Sequence, residues 1–121
     1  MVSVIIAAGG KGTRMGADIN KVYLKILGKE ILVYTIEAFQ KNKNVDEIII
    51  VTGKNDIDRC NELVKKYELS KVVTVVKGGT RRQKSVLNGI MASNGDIVAI
   101  HDGARPLISQ GEIDAVINDC R

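Results

Sequence analysis

Aromatic side chains are scarce in this chain: one Phe, three Tyr and no Trp among 121 residues. A core of any size must therefore come from Ile, Val, Leu and Ala, and 121 residues suffice for one such domain. The same scarcity excludes a base-stacking surface, because no basic cluster is interleaved with aromatics, so nucleic acid is not an expected partner. No apolar run approaches the length of about 18 residues that a membrane span requires, so a membrane is not an expected partner either. Met1-Val2-Ser3 lacks the charged opening of a secretory signal. The two cysteines, Cys60 and Cys120, show no metal-ligand spacing. Without an export signal a structural disulfide is not expected, Cys60 is assigned to core packing, and the cytoplasm is the expected compartment. His101 is the one histidine, and no nucleophile is visibly partnered with it, so it is read as a hydrogen-bonded packing residue.

Charge is present but unevenly spread. The net charge is +4. Residues 1 to 94 carry sixteen Lys/Arg against nine Asp/Glu, whereas residues 95 to 121 carry two against five. A mild basic excess over most of the chain suits an anionic ligand.

Four short apolar runs recur, Val2 to Ala7, Ile48 to Val51, Val72 to Val76 and Ile97 to Ile100. They are continuous rather than alternating and rich in Ile and Val, the pattern of strands covered on both faces. Helical periodicity lies between them. Ile57, Cys60, Val64 and Tyr67 share one helical face, and a further helix is expected from about residue 31 to 40. Thr80-Arg81-Arg82-Gln83 reads as a capping box before Val86, Leu87, Ile90 and Met91. Ser109-Gln110-Gly111-Glu112 reads as another before Ile113, Val116, Ile117 and Cys120. Alternating strands and helices, with no repeat or linker, predict one α/β domain over residues 1–121 with a mainly parallel sheet.

Ligands of such sheets sit beyond the carboxyl ends of the strands. Polar segments should therefore follow the apolar runs, and three do. "AAGGKGTRMG" follows the first. It is not a dinucleotide fingerprint, because Met15 stands where the third glycine is needed, and not a P-loop, because Gly12 follows Lys11. It reads either as a looser cradle, in which Gly9, Gly10 and Gly12 let backbone N–H groups approach an anion beside Lys11 and Arg14, or as a solvated turn. "KGGTRRQKSVLNG" follows the third run and crowds Arg81, Arg82 and Lys84 into a helix start, where like charge opposes the helix dipole unless an anion is bound. Ser85 could offer a hydroxyl to a base edge. "HDGARP" follows the fourth run. Asp102 suits Mg²⁺ or a sugar hydroxyl, and Arg105 suits a phosphate. Lys21, in "NKVYL", lies seven positions after Arg14.

Taken in order and with this spacing, AAGGKGTRM, NKVYL, GGTRRQKSVLNGI and HDGARP resemble the nucleotidyltransferases. More narrowly, they resemble the 2-C-methyl-D-erythritol 4-phosphate cytidylyltransferase family of non-mevalonate isoprenoid biosynthesis. The glycine loop alone indicates only the broad superfamily; GG-x-R-x-x-S-V followed by HDGARP is more specific. The resemblance covers the whole chain and implies a Rossmann-like open sheet with helices on both faces. It further implies a reaction in which a sugar-phosphate oxygen attacks the α-phosphorus of CTP and pyrophosphate leaves.

By this resemblance Arg14 and Lys21 match the positions that stabilise charge on the α-phosphate. Ala7, Ala8, Gly9, Gly10 and Lys11 match the stretch lining the nucleotide. Gly79, Arg82 and Ser85 match the segment against the cytosine, and Asp102, Ala104 and Arg105 match the side of the metal, ribose and sugar phosphate. Mg²⁺ is the implied cofactor, with Asp102 its ligand, and CTP and a polyol phosphate are the implied partners. Departures exist: Asn20 and Val22 flank Lys21 where the family often has Pro and Gln, and the glycine loop is one residue longer than the commonest form. That length is similar to ribitol 5-phosphate cytidylyltransferases, the alternative, whereas Gly103-Ala104 favours the erythritol family. A nucleotide-binding chain without turnover is a second alternative. The resembled family has a longer chain and forms homodimers. The expectation is therefore either a truncated N-terminal half or a chain completed by contacts with copies of itself, poorly active alone, with an open edge at the strand Ile97 to Ile100.

Overall fold

The alternation of apolar runs and helical patterns folds as expected. The computed structural model describes residues 1–9, 21–78, 82–105 and 107–119, without the side chains of Arg82, Gln83 and Ser85. Strand β1 (Val2–Ala8) is followed by a 3-10 turn (Lys21–Tyr23), a small hairpin of β2 (Lys25–Ile26) and β3 (Lys29–Glu30), and helix α1 (Ile31–Gln40). Then come β4 (Glu47–Thr52), a second 3-10 turn (Lys54–Asp56), α2 (Ile57–Lys66), β5 (Val72–Lys77), α3 (Arg82–Ala92), β6 (Ile97–Asp102) and α4 (Gln110–Asp119).

The main sheet has the order β5-β4-β1-β6, and every pairing in it is parallel. From β1 the chain moves outward through β4 to β5, then returns across the sheet to β6. Right-handed crossovers in opposite directions place their helices on opposite faces. The packing agrees. One face buries Val4, Ile6, Ile48 and Ile50 against Leu32 and Ile36 of α1, Cys60 and Leu63 of α2, and Ile113 and Ile117 of α4. The other face buries Ile5, Ile49 and Val51, with Val76, Ala92 and Val98 against them.

Coverage is complete only at the centre. Strands β1 and β4 are buried almost throughout, but β5 and β6 are the edges and are only partly buried. Both-face burial of all four runs was the expectation; edge position defeats it, and Ile100 remains 40% exposed. Helix α3 also differs from expectation. Leu87, Ile90 and Met91 are exposed. The helix instead lays Gly89 on the sheet so closely that a Cβ there would lie 2.6 Å from Ile5 Cγ2.

The second capping box forms as read. Glu112 N–H donates to Ser109 Oγ (3.1 Å), and Ser109 N–H donates to Glu112 Oε1 (3.3 Å). Val116 of that helix is exposed although its periodicity matched the buried Ile113 and Ile117. The first box, at Thr80, and Cys120 lie outside the described residues. Cys60 is buried and free, as its position on the apolar face of α2 implied.

Candidate functional site

Because the strands are parallel, their carboxyl ends gather at one end of the sheet. Ala7 is opposite Asp102, Ala8 opposite Thr52, and Thr52 opposite Lys77. Three of the segments singled out in the sequence thus meet there: Ala7-Ala8-Gly9, Lys77-Gly78 with the start of α3, and Asp102 to Arg105. Gly78 N–H donates to Thr52 O (2.8 Å), and Asn88 Nδ2 of α3 donates to Lys77 O (2.9 Å), fixing the end of β5.

The turn after β6 is the best-defined part. Gly103 N–H donates to Ala7 O at 2.9 Å, and a Cβ at Gly103 would lie 3.1 Å from that oxygen and from Leu32 Cδ1. Glycine lets the turn press against β1 there. Thr35, buried in α1, donates from Oγ1 to Gly103 O (2.8 Å) and holds the turn from beneath. Asp102 is exposed, and its Oδ1 accepts from Ala104 N–H (2.9 Å). Arg105 is exposed and pairs with Glu112 Oε2 at 3.3 Å. An exposed pair of this kind is worth little, so the guanidinium can be surrendered to a phosphate at small cost. Backbone and hydroxyl bonds from Ser109, helped by Arg105, hold the Glu112 carboxyl below its ordinary range.

His101 points to the α1 face, its ring edge-on to Phe39 at 5.0 Å between centroids. Burial, then the charge of Arg105, lowers its basicity, and Nε2 is buried without a hydrogen-bond partner. It packs as read, but Nε2 lacks the hydrogen bond that the reading expected of it.

Lys21 opens the 3-10 turn and is exposed. Two residues on, Tyr23 is buried, and its hydroxyl lies 2.9 Å from Thr52 Oγ1. Gly10, Lys11, Arg14 and Gly79 lie outside the described residues, as do the side chains of Arg82 and Ser85; Arg82 opens α3 and Ser85 follows in its first turn. Sequence reasoning did not single out Thr35, Thr52 or Tyr23. Their one visible signal was polarity at the end of, or between, apolar runs.

Among the described residues no cluster of three or more His, Cys, Asp or Glu could hold a metal ion. A single exposed carboxylate such as Asp102 still fits Mg²⁺, which is bound through one or two carboxylates plus substrate phosphates.

An open parallel sheet with polar segments gathered at its carboxyl ends places the chain in the Rossmann-like α/β class, whose ligands sit at that end. Among solved structures, the chain is similar to a nucleotidyl transferase from Methanothermobacter thermautotroptrophicus, with a TM-score of 0.74 and 27% identity, covering 98% of this chain and 57% of that one. It is similar also to 4-diphosphocytidyl-2C-methyl-D-erythritol synthase from Anaerococcus prevotii, with a TM-score of 0.79 and 32% identity, covering 98% and 49%. Residues 2–121 match the family described as IspD, 2-C-methyl-D-erythritol 4-phosphate cytidylyltransferase, and the chain belongs to that family. A curated relative of that name from Clostridium novyi (strain NT) is 47% identical over 117 residues, 95% of this chain and 49% of the relative. The chain spans about half the length of the curated relatives it matches.

Proposed function

We propose that the chain binds CTP and takes part in joining it to 2-C-methyl-D-erythritol 4-phosphate, giving CDP-methylerythritol and pyrophosphate. The observation that carries this reading is the family match along residues 2–121. The gathering of three of its motif segments at one sheet end supports it. In the reaction a phosphate oxygen of the acceptor forms a bond to the α-phosphorus of CTP. The bond from that phosphorus to the oxygen bridging to the β-phosphate breaks, and pyrophosphate leaves with the electron pair. Such chemistry asks the protein for positioning and charge stabilisation rather than a covalent intermediate.

In this reading the backbone of Ala7, Ala8, Gly9 and Gly10 lines the nucleotide, with Lys11 beside its phosphates. Gly79, Arg82 and Ser85 face the cytosine, and Ser85 helps to reject other bases. Arg14 and Lys21 meet the charge that grows on the α-phosphate. Ala104 and Arg105 face the acceptor phosphate, a placement that the Thr35 and Ala7 bonds to Gly103 support. Asp102 would hold the Mg²⁺, which when bound offsets the charge of the triphosphate. The reading extends to a cytoplasmic protein that pairs with a second copy, as the family resemblance implies. Among the described residues no helix is long and apolar enough to cross a membrane.

Thermal-shift titration with CTP, UTP, ATP and GTP in Mg²⁺, followed by pyrophosphate-release assays with methylerythritol phosphate and ribitol phosphate, tests the reading. CTP should give the largest shift, and methylerythritol phosphate the faster release. Equal shifts with a purine nucleotide would remove the base assignment, and preference for ribitol phosphate would reverse the acceptor.

A further inference from the structure

The turn bearing Lys21 is fastened to the sheet by a side chain that the proposed reaction does not use. Tyr23 lies 3% exposed, two residues beyond Lys21 in the same 3-10 turn. Its hydroxyl lies 2.9 Å from Thr52 Oγ1, at the carboxyl end of β4. Thr52 Oγ1 in turn lies 3.3 Å from Ala8 O, and Ala8 is the last residue of β1 before Gly9. A hydroxyl has one proton to give. The two hydroxyls therefore share a bond in which either can donate, because Thr52 also reaches Ala8 O and the Tyr23 hydroxyl also reaches Asp56 O at 3.5 Å. The guanidinium of Arg59 lies 4.6 Å from the centroid of the Tyr23 ring and covers it. Leu24 N–H donates to Lys21 O (3.1 Å), and Ile31 N–H to Leu24 O (2.9 Å), so the turn is closed on itself and onto α1.

We infer that Tyr23 is a positioning residue: its hydroxyl, through Thr52, sets the Lys21 turn at a fixed distance from the end of β1, where the nucleotide-lining segment begins. The inference rests on the proposed role of Lys21. Its physical content is that two separate pieces of the site share one rigid anchor in the core. Ring burial alone would hold the turn near the sheet, but a buried aromatic ring can slide along an aliphatic wall. A hydrogen bond to a strand end removes that freedom. Displacement of a reacting group by about an ångström can cost about a hundredfold in rate. Burial and the nearby Cys60 push the phenol well above its ordinary acidity range, so it keeps its proton throughout the working pH range.

The test uses Tyr23→Phe, Thr52→Val, Thr52→Ser, Lys21→Ala and the Tyr23→Phe/Lys21→Ala double variant of the whole chain. Two readouts are taken: amide hydrogen exchange, and the rate of CDP-methylerythritol formation. Tyr23→Phe keeps the ring and its packing. It should speed exchange of the Leu24 amide by about tenfold, the equivalent of one lost hydrogen bond, while the β1 and β4 amides are unchanged. It should lower kcat by about tenfold with the KM for CTP within about twofold, and Thr52→Val should behave alike. Thr52→Ser, which keeps the hydroxyl, should restore both readouts. The double variant should be no slower than Lys21→Ala within about twofold, because Tyr23 acts through Lys21.

Unchanged Leu24 exchange in Tyr23→Phe would overturn the inference. So would full additivity with Lys21→Ala, or an unaffected rate in Tyr23→Phe when Lys21→Ala is slow. A Lys21→Ala variant as fast as the parent would instead overturn the role proposed for Lys21. If the parent itself forms no product, as expected of a half-length chain that is poorly active alone, Leu24 exchange decides the anchor.

Discussion

The two ends of the parallel sheet are built on opposite principles. At the amino end, polar groups are buried and answered. Glu47, 2% exposed, accepts from Ser3 Oγ at 2.6 Å, from Asn94 N–H at 2.8 Å and from Asn94 Nδ2 at 3.3 Å. Asp46, though exposed, accepts from Val2 N–H at 2.7 Å, and a Cβ at Gly95 would collide with Ser3 Oγ and lie 2.9 Å from Met1 O. At the carboxyl end, Lys21, Lys77, Asp102 and Arg105 are exposed; Arg105 pairs with the exposed Glu112, and the bonds at the strand ends fasten backbone. A satisfied buried cluster specifies structure; a fastened backbone carrying solvent-exposed charge is free to spend that charge on a ligand. Substitutions at the two ends should therefore separate stability from activity.

The largest effect is expected at the carboxyl end. Lys21→Ala and Arg14→Ala should each slow cytidylyl transfer by about 10²- to 10³-fold, as losing one preorganised contact to developing charge does elsewhere. CTP affinity should fall much less, because the charge builds mainly in the transition state. Stopped-flow pyrophosphate release beside calorimetric CTP titration reads both. A rise in KM with kcat unchanged would reduce these residues to ground-state binders. For Lys21→Ala the urea midpoint should stay near that of the parent, since this side chain is exposed.

The amino end should respond the other way. Glu47→Gln should cost about 1.5–3 kcal/mol of stability, the range for hydrogen bonds to a charged group, and leave CTP binding intact. Burial alone would raise the Glu47 carboxyl, but the bonds from Ser3 and Asn94 outweigh it and hold it below its ordinary value of 4.5. A carboxyl depressed in the folded state adds stability above its unfolded value and loses it as pH falls through the folded one. The gap between parent and Glu47→Gln in urea unfolding should therefore be widest near neutrality and shrink below about pH 4. A gap that is constant with pH would mean the carboxylate charge is not what is being answered.

Much of this division was legible before any coordinates. The four strands and α1, α2 and α4 follow from continuous apolar runs and period-3.6 patterns, and the parallel arrangement then placed Ala7 to Gly9, Lys77 and Asp102 at one end. What stayed hidden depends on close approach between distant elements. Hydropathy assigned the face of α3 to Leu87, Ile90 and Met91. The helix instead docks through Gly89, whose lack of a side chain is what permits contact with Ile5 and Val51. Thr35, Thr52 and Tyr23 are single polar groups in apolar surroundings, and only the fold reveals which carbonyl each one answers. Glu47 was not singled out in the sequence, because its partners lie 44 and 47 positions away.

The β2–β3 hairpin went unread for a chemical reason, and it yields the smallest prediction. Ile26 pairs with Lys29, so Leu27 and Gly28 form a two-residue turn, and both have positive φ, 53° and 81°. That is the requirement of a type I′ turn, for which Asn-Gly is the favoured pair and the strongest local hairpin signal. Here leucine occupies the first position, so the signal is absent although the turn forms. Leu27 is 95% exposed, and no burial offsets its left-handed backbone. The strain belongs to neither end of the sheet and serves no polar network. Leu27→Asn should therefore raise stability by about 0.5–1 kcal/mol, because asparagine tolerates this backbone region and no packing is lost. The urea midpoint should rise, with CTP affinity and transfer rate unchanged. A fall in stability would mean that the leucine side chain is covered in solution, by a second copy of the chain at high concentration. Repeating the measurement across a hundredfold dilution would then show the loss vanish as the copies separate.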